Sequence, residues 1–258
     1  MSKIDVVEYN KEWPKQYIVE EQAIKNVLKD NFVSIHHIGS TSVPNLIAKP
    51  KIDIICEVID PIKSIEQLKE ISYQYRGEYN IPMHYGFSKR GDVPEVNLHV
   101  YEQGHPEVEL NIKFRDYLRN NTKAKEEYIE LKQNLINKES SYKKNDSMFS
   151  GYNLGKNDFI TKAIKASGFD RLRFTICTHY AELEKAIHII KKSNIAIENN
   201  IFNDNNLIGL MLYKGVDIIG YAQVSNINNK QVLSNIILSS KNNGEEVYFI
   251  KEINRWIK

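Results

Sequence analysis

The stretch HIGSTSVPNLIAKPKIDIICEVI, residues 37–59, places a glycine-serine turn after one apolar segment and an aspartate early in the next. Residues 32–38 are short and β-branched and end at Gly39-Ser40, as a strand that runs into a turn does. Residues 51–59 form a nearly continuous apolar run, which is typical of a strand covered on both faces. The pattern predicts two neighbouring strands, with the second in the centre of a sheet.

The spacing of Gly39, Ser40 and Asp53 is the one used to transfer a nucleotidyl group. Glycine lets the backbone approach a triphosphate, and the hydroxyl and N–H groups of the turn Gly39-Ser40-Thr41-Ser42 hold phosphate oxygens. Asp53 then binds Mg²⁺. Two simpler interpretations stay open, because Gly-Ser is common: a plain strand-ending turn, and a buried structural carboxylate at Asp53.

The rest of the first 168 residues alternates helix and strand patterns. Residues 95–101 alternate polar with apolar residues, which indicates a half-buried strand whose polar face carries Glu95, Asn97, His99 and Tyr101. Helical patterns cover 14–29, 64–75, 106–120, 122–138 and 157–167, the last one stopping at Gly168. We therefore predict an α+β domain over residues 1–168.

Several motifs of this region together resemble the GrpB (UPF0157) family. They are the turn and strand quoted above, Val7-Glu8-Tyr9-Asn10 with Trp13-Pro14, the segment 98–107 and the segment 114–119. The matches extend from about residue 6 to residue 165. The resemblance implies a nucleotidyltransferase fold, a mixed sheet flanked by helices, with a nucleoside triphosphate as substrate and Mg²⁺ as cofactor.

The nucleotidyltransferase pattern pairs two carboxylates, and here the chain departs from it. Ile55 stands where the second carboxylate is expected, and an apolar residue cannot bind Mg²⁺. Glu57 lies about 13 Å along the strand from Asp53, too far to share one ion. The substitute must come from another strand, so we expect His99 as a second catalytic group or Glu95 as a second metal ligand.

Basic residues near these motifs are candidates for neutralising phosphate charge. Lys49 precedes the second strand, and Arg90, Arg115 and Lys156 each lie in a segment that resembles the family. Most surface lysines are merely solvated. We predict that these four side chains bind the phosphates of the nucleotide.

Residues 171–258 resemble part of an N-acetyltransferase of the GNAT superfamily and form a second predicted module. Residues 209–213 and 218–222 are similar to its central hairpin, and the coenzyme A turn aligns with residues 241–246. Glu245 and Glu246 oppose a pyrophosphate there, and the strands that complete the cleft are missing before Lys258. We expect an inactive acetyltransferase-like module or an unrelated α+β appendage, without coenzyme A.

Composition restricts the partners and the compartment. The 258 residues carry a formal net charge of +2, and up to Gly168 there are 24 basic and 24 acidic residues. This balance gives no support for a nucleic-acid or anionic membrane surface. Cys56 and Cys177 are too few for a disulfide framework, no apolar run approaches ~20 residues, and the polar N-terminus is no signal peptide. We expect a cytoplasmic protein.

Two classes of function follow from the sequence. The first is a metal-dependent transfer of a nucleotidyl group from a nucleoside triphosphate to a hydroxyl of a small molecule or protein, which depends on positioning and charge neutralisation. The second is a non-catalytic nucleotide- or coenzyme-binding module, which Ile55 favours. In both classes the partner is a small molecule that bears phosphate.

Overall fold

The structure, a computed structural model, describes residues 5–91, 94–143, 149–178, 182–186, 206–227, 230–239 and 243–257. The chain divides into two compact units. The first comprises Met1–Tyr79, Met83–Asn145 and Phe149–Phe169, and the second is mainly Asp170–Lys258. The sequence pattern predicts a helix over residues 182–192, of which the structure describes only 182–186. Most of the stretch 193–206, which is rich in Asn, and Lys241-Asn242 of the predicted coenzyme A turn lie outside the described residues.

The first unit is built around a five-stranded sheet. Its elements are, in chain order, α1 (Trp13–Leu28), β1 (Phe32–Ile38), β2 (Lys51–Val58), α2 (Pro61–Lys69), β3 (Gln74–Gly77), β4 (Tyr85–Lys89), β5 (Glu95–Glu102), α3 (Pro106–Asn120), α4 (Thr122–Ile136), α5 (Gly151–Leu154) and α6 (Asn157–Ala166). The strand order is β1-β2-β5-β4-β3, with β2 and β5 parallel and the other neighbours antiparallel. The predicted α+β architecture with a mixed sheet flanked by helices is confirmed.

The two faces of this sheet differ in chemistry. Val96, Leu98 and Val100 of β5 are buried in the main core, together with alternate residues of β2 and with apolar residues of α1 and α2. Side chains alternate along a strand, so Glu95, Asn97 and His99 share the opposite face, as the polar alternation predicts. Asp53 lies on that same face, because its register partner across the β2–β5 pair is Asn97.

Local sequence signals explain where the helices begin. Asp60 caps α2 by accepting hydrogen bonds from the N–H groups of Ile62 and Lys63, and Pro61 stands at the first helical position. Asn121 caps α4 through the N–H of Ala124. None of the helices in the ranges given above is long and apolar enough to span a membrane.

The predicted helix over residues 64–75 is wrong in its bounds. The helix α2 begins at Pro61 and ends at Lys69, and the chain reverses at Ser72, which has a φ of 69°. The strands β3 and β4 follow, where no strand was predicted. A left-handed residue cannot continue a right-handed helix, which is why the apolar spacing beyond Lys69 does not prolong α2.

The second unit is a four-stranded antiparallel sheet with helices packed on it. Its described elements are β6 (Leu172–Ile176), α7 (182–186), β7 (Leu207–Lys214), β8 (Asp217–Ile227), β9 (Lys230–Leu238) and α8 (Asn243–Trp256). The core joins Cys177, Leu183, Ala186, Met211, Tyr221 and Ile237. The sequence patterns of residues 207–213, 218–224 and 231–238 predict three strands, and that of residues 245–257 predicts a closing helix. All four elements are present, so this unit is α+β. Its relation to acetyltransferases stays a prediction.

Asn31 offers a test of how the loop after α1 supports the first unit. Its side chain is 3% exposed, donates to the Asp60 carbonyl and to Gln67, and accepts from the Asp60 N–H. Asn31→Ala should lower the free energy of unfolding by about 2–3 kcal/mol, because it leaves buried polar groups without partners.

Urea unfolding followed by the fluorescence of the buried Trp13, in a Trp256→Phe background, measures this effect on the first unit. Asn26→Ala is the matched control, since Asn26 is exposed and bonds only to Gln22 among the described residues. We expect the control to stay within about 0.5 kcal/mol. Equal effects of the two substitutions would contradict the role of the buried network.

Candidate functional site

A polar cleft of about 360 Å³ opens in the first unit where β1 ends and β2 begins. Five of its lining side chains are basic, and among the described residues that line it one is a carboxylate. The lining residues are Ser40, Thr41, Lys49, Lys51, Asp53, Arg90, Asn97, Lys132, Tyr152, Asn153 and Lys156. The cleft is therefore strongly cationic, although the whole chain is almost neutral.

The turn after β1 lies directly against Asp53. Gly39 has a φ of 67°, and a methyl group at this position would lie 2.9 Å from the Asp53 Cβ and nearer still to the carboxylate oxygen Oδ2. Only glycine combines this backbone conformation with so close an approach. The structure thus brings Gly39, Ser40 and Asp53 together at one end of the sheet.

Side-chain hydrogen bonds fix the shape of this turn. The Ser42 hydroxyl donates to the Gly39 carbonyl at 2.6 Å, and Thr41 Oγ1 lies 3.0 Å from His37 Nε2. Thr41 and Ser42 are both buried, and the Ser42 side chain bonds to the turn itself. Ser40 and Thr41 line the cleft, whereas the Ser42 hydroxyl bonds within the turn. The phosphate-binding role of the four residues stays a prediction.

The structure corrects the position expected for Arg115. Its guanidinium donates to the His37 carbonyl at 3.0 Å and pairs with Asp116, and among the described residues it does not line the cleft. Arg119 donates to the Ser42 carbonyl in the same way. Burial, and then the charges of Arg119 and Arg115, lower the pKa of His37 to about 3. The arginines of α3 hold the backbone on both sides of the turn.

A hydrogen-bonded chain of three side chains forms one wall of the cleft. Asn97 donates from Nδ2 to Asp53 Oδ1 at 2.7 Å, and Arg90 donates from Nη2 to Asn97 Oδ1 at 2.5 Å. Arg90 also donates to the Val96 carbonyl at 2.7 Å. The residue beside Asp53 on β5 is thus an amide, where we expected His99 or Glu95.

Glu95 and His99 have other partners. The Glu95 carboxylate lies 2.5 Å from Lys51 Nζ and 3.6 Å from Arg90 Nε, and the hydrogen bond from Lys51 lowers its pKa. His99 Nδ1 lies 2.9 Å from His84 Nε2, and burial lowers the pKa of both rings. Among the described residues, the lining of the cleft includes neither Glu95 nor His99.

Lys132 on α4 is the most buried of the basic side chains in the cleft. It is 2% exposed, donates to Ser40 Oγ at 2.6 Å and to the Ile47 carbonyl at 2.7 Å, and lies 4.5 Å from the centre of the Tyr128 ring. Burial, followed by the charge of Lys156, lowers its pKa to about 7, while Asp53 opposes this change. Lys132 therefore connects α4 to the turn after β1.

Lys49 and Lys156 lie over the ring of Tyr152, with Nζ atoms 4.9 and 4.7 Å from its centre. Burial and then the charge of Lys49 lower the pKa of Lys156 to about 8, and burial and then Lys51 lower the pKa of Lys49. An ammonium that is partly desolvated and repelled by its neighbours is stabilised when an anion binds beside it. These charges suit a ligand with several phosphates.

The first unit matches a known protein family. A family model described as GrpB protein matches residues 3–166. The chain belongs to the GrpB family. The GrpB domain therefore contains the whole of the cleft, from Ser40 to Lys156.

Individual relatives agree with this assignment. The UPF0157 protein YqkA of Bacillus subtilis is 39% identical over 136 residues, which are 52% of this chain and 40% of that protein. A UPF0157 protein of Halalkalibacterium halodurans is 34% identical over 142 residues, or 54% of this chain and 72% of the relative. The match to YqkA covers less than half of the length of YqkA. The activity of the whole YqkA protein is therefore not assigned to this chain.

Solved structures were also compared with the chain. The conserved protein GrpB from Enterococcus faecalis aligns with a TM-score of 0.53 and 33% identity over 63% of this chain and 96% of that chain. The Cid1 poly(U) polymerase aligns with a TM-score of 0.40 and 10% identity over 57% of this chain and 49% of that chain. An alignment as distant as the second supports no inference about activity.

Four groups of the cleft in the GrpB domain were missed by the sequence analysis. Asn97 was placed on the correct strand face but given no role, and Lys132, Tyr152 and Asn153 were not singled out. Lys132 follows Ser40 by 92 positions and lies in a helix rich in lysine and glutamate, so its sequence context is that of a solvated residue. A lysine within the stripe of buried residues Ala124, Tyr128 and Leu135 was the available signal.

Proposed function

We propose that the GrpB domain binds the polyphosphate chain of a nucleoside triphosphate in this cleft. The observation that carries the proposal is the concentration of five basic side chains around the Gly39-Ser40 turn, with Asp53 as the carboxylate among the described lining residues. The volume of the cleft lies within the usual range for small-molecule sites, about 300–1,000 Å³. Each charge-assisted hydrogen bond to a phosphate oxygen adds about 1.5–3 kcal/mol.

Calorimetric titration of the full chain with AMP, ADP and ATP tests this proposal. Because every added phosphate meets further basic groups, we expect the affinity to increase about tenfold with each phosphate, and to decrease with added salt. Similar affinities for the three nucleotides, or no binding of ATP, would contradict the proposed polyphosphate site.

A second candidate is the metal-dependent transfer of a nucleotidyl group to a hydroxyl of a small molecule or protein. The close approach of Gly39 to Asp53 favours it, because such a turn brings a triphosphate next to the carboxylate. Incubation with a nucleoside triphosphate labelled on the α-phosphate, with and without Mg²⁺, separates transfer from binding. Label on an acceptor, lost in Asp53→Asn, supports transfer, and binding without label supports the first candidate alone.

The affinity for ATP should fall as the pH rises. Burial lowers the pKa of Lys132 to about 7 and that of Lys156 to about 8, so the free protein loses both protons as the pH increases above these values. Bound phosphate favours the charged ammonium and raises both pKa values, so binding takes up protons in this range.

We expect the affinity to be greatest below about pH 7 and to fall at least tenfold by about pH 9. Titrations at several pH values, in buffers with different ionisation enthalpies, measure both the affinity and the protons taken up. A constant affinity without proton uptake would show that the two lysines do not contact the phosphates.

A further inference from the structure

The wall of the cleft beside Asp53 presents hydrogen-bond donors where a metal site needs oxygen ligands. An arginine guanidinium has no acceptor, so the atom of the Asn97 amide that faces Arg90 must be the oxygen. The amide nitrogen therefore faces Asp53 and donates to Oδ1. An N–H group cannot bind a cation, and it occupies the position next to the carboxylate that a second oxygen ligand requires.

The other carboxylates on this face do not replace the missing ligand. The next position on this face of β2 after Asp53 is Ile55, which has no oxygen ligand. The Glu95 carboxylate on β5 is paired with Lys51 and Arg90. No group of three His, Cys, Asp or Glu side chains that could hold a metal ion exists within the described ranges. At nucleotide sites Mg²⁺ is usually held by one or two carboxylates together with phosphate and water oxygens. Here Asp53, the carboxylate that lines the cleft among the described residues, already accepts a hydrogen bond from Asn97, so the groups present are a poor fit for the cofactor that the fold family implies.

Positive charge is instead supplied by the protein. A triphosphate carries about four negative charges near neutral pH, and the cleft offers Lys49, Lys51, Arg90, Lys132 and Lys156. Lys51 and Arg90 are partly neutralised by Glu95, whereas Lys132 is buried beside Ser40 and Lys156 is half-buried over the Tyr152 ring. The ammonium groups thus neutralise the phosphate charge that divalent ions would otherwise neutralise.

We propose that the GrpB domain binds the polyphosphate of its nucleotide without a divalent metal ion, with Lys132, Lys156 and the Arg90-Asn97-Asp53 chain in place of a metal site. This inference rests on the proposed nucleotide binding and adds to it the chemical form of the ligand, a metal-free nucleoside polyphosphate. Asp53 then acts as the acceptor that orients Asn97 and Arg90.

The test is calorimetric titration of the full chain with ATP, once in EDTA and once in excess Mg²⁺. We expect the affinity for ATP in EDTA to be no more than about threefold weaker than the affinity in Mg²⁺. In Asn97→Asp, a second carboxylate replaces the donor and repels the phosphates, so the affinity in EDTA should fall at least tenfold and Mg²⁺ should restore it.

Each result has a distinct meaning. If the unaltered protein binds ATP more than about threefold tighter in Mg²⁺ than in EDTA, the metal-free mode is overturned and nucleotide binding still stands. Absence of binding in both solutions overturns the proposed function together with this inference. Thermal unfolding shows whether Asn97→Asp folds. If it does not fold, the ATP affinities of the unaltered protein in EDTA and in Mg²⁺ still test the metal-free mode.

Discussion

Lys132→Met is expected to weaken the binding of ATP about 100-fold while the GrpB domain stays folded. Methionine matches the length and buried shape of lysine but removes the ammonium that lies beside Ser40. A 100-fold loss corresponds to about 2.7 kcal/mol, within the range for one charge-assisted hydrogen bond to phosphate. The loss of a buried charge also limits the cost to stability, because the ammonium is desolvated in the folded protein.

Calorimetric titration of ATP into the variant and the unaltered protein measures this effect, and circular dichroism reports the fold. Lys69→Met is the matched control, because Lys69 is an exposed residue of α2 and its ion pair with Glu66 lies on the surface. We expect the control to bind ATP as the unaltered protein does. An affinity of Lys132→Met within about threefold of the unaltered protein would show that Lys132 has only a structural role.

Gly39→Ala is expected to abolish detectable ATP binding and to lower the free energy of unfolding by about 2–4 kcal/mol. The added methyl group meets the Asp53 side chain, and the φ of 67° is strained for any residue with a Cβ. To relieve the contact, either Asp53 must leave Asn97 or the turn must move away from Ser40. Both responses disturb the wall of the cleft that contacts the ligand.

Gly168→Ala is the control that separates the effect of backbone strain from the effect of the steric contact with Asp53. Gly168 has a φ of 73°, and a methyl group there meets no atom within 4 Å. This control should cost about 1 kcal/mol or slightly more in stability, with ATP binding unchanged. Nucleotide titration and urea unfolding of both variants provide the comparison. Full ATP affinity in Gly39→Ala would contradict the close approach of the turn to the bound phosphates.

The elements that carry the cleft were predictable because their patterns are strong. The strand 32–38 and the helix 106–120 have the predicted bounds, and the alternation of β5 correctly placed Asn97 on the polar face. A continuous apolar strand and an alternating strand each have one favourable burial pattern in a sheet. Gly39 and Asp53 converge because β1 and β2 pair antiparallel, with Ile38 opposite Asp53.

The contacts that complete the site were not predictable in the same way. The partner of Asp53 depends on the register between β2 and β5, which puts Asn97 opposite it where we expected Glu95 or His99. The burial of Lys132 depends on how α4 packs over the turn, a long-range contact that a local pattern does not encode. The short strands β3 and β4 have too few residues for a clear period.

The proposed polyphosphate site can be observed in a crystal structure of the full chain grown with ATP and EDTA. We expect one ATP molecule in the cleft of the GrpB domain, with phosphate oxygens within hydrogen-bond distance of Ser40 and Lys132 and with Asn97 still bonded to Asp53. A nucleotide held elsewhere on the chain, or a cleft without nucleotide at saturating ATP, would contradict the polyphosphate site.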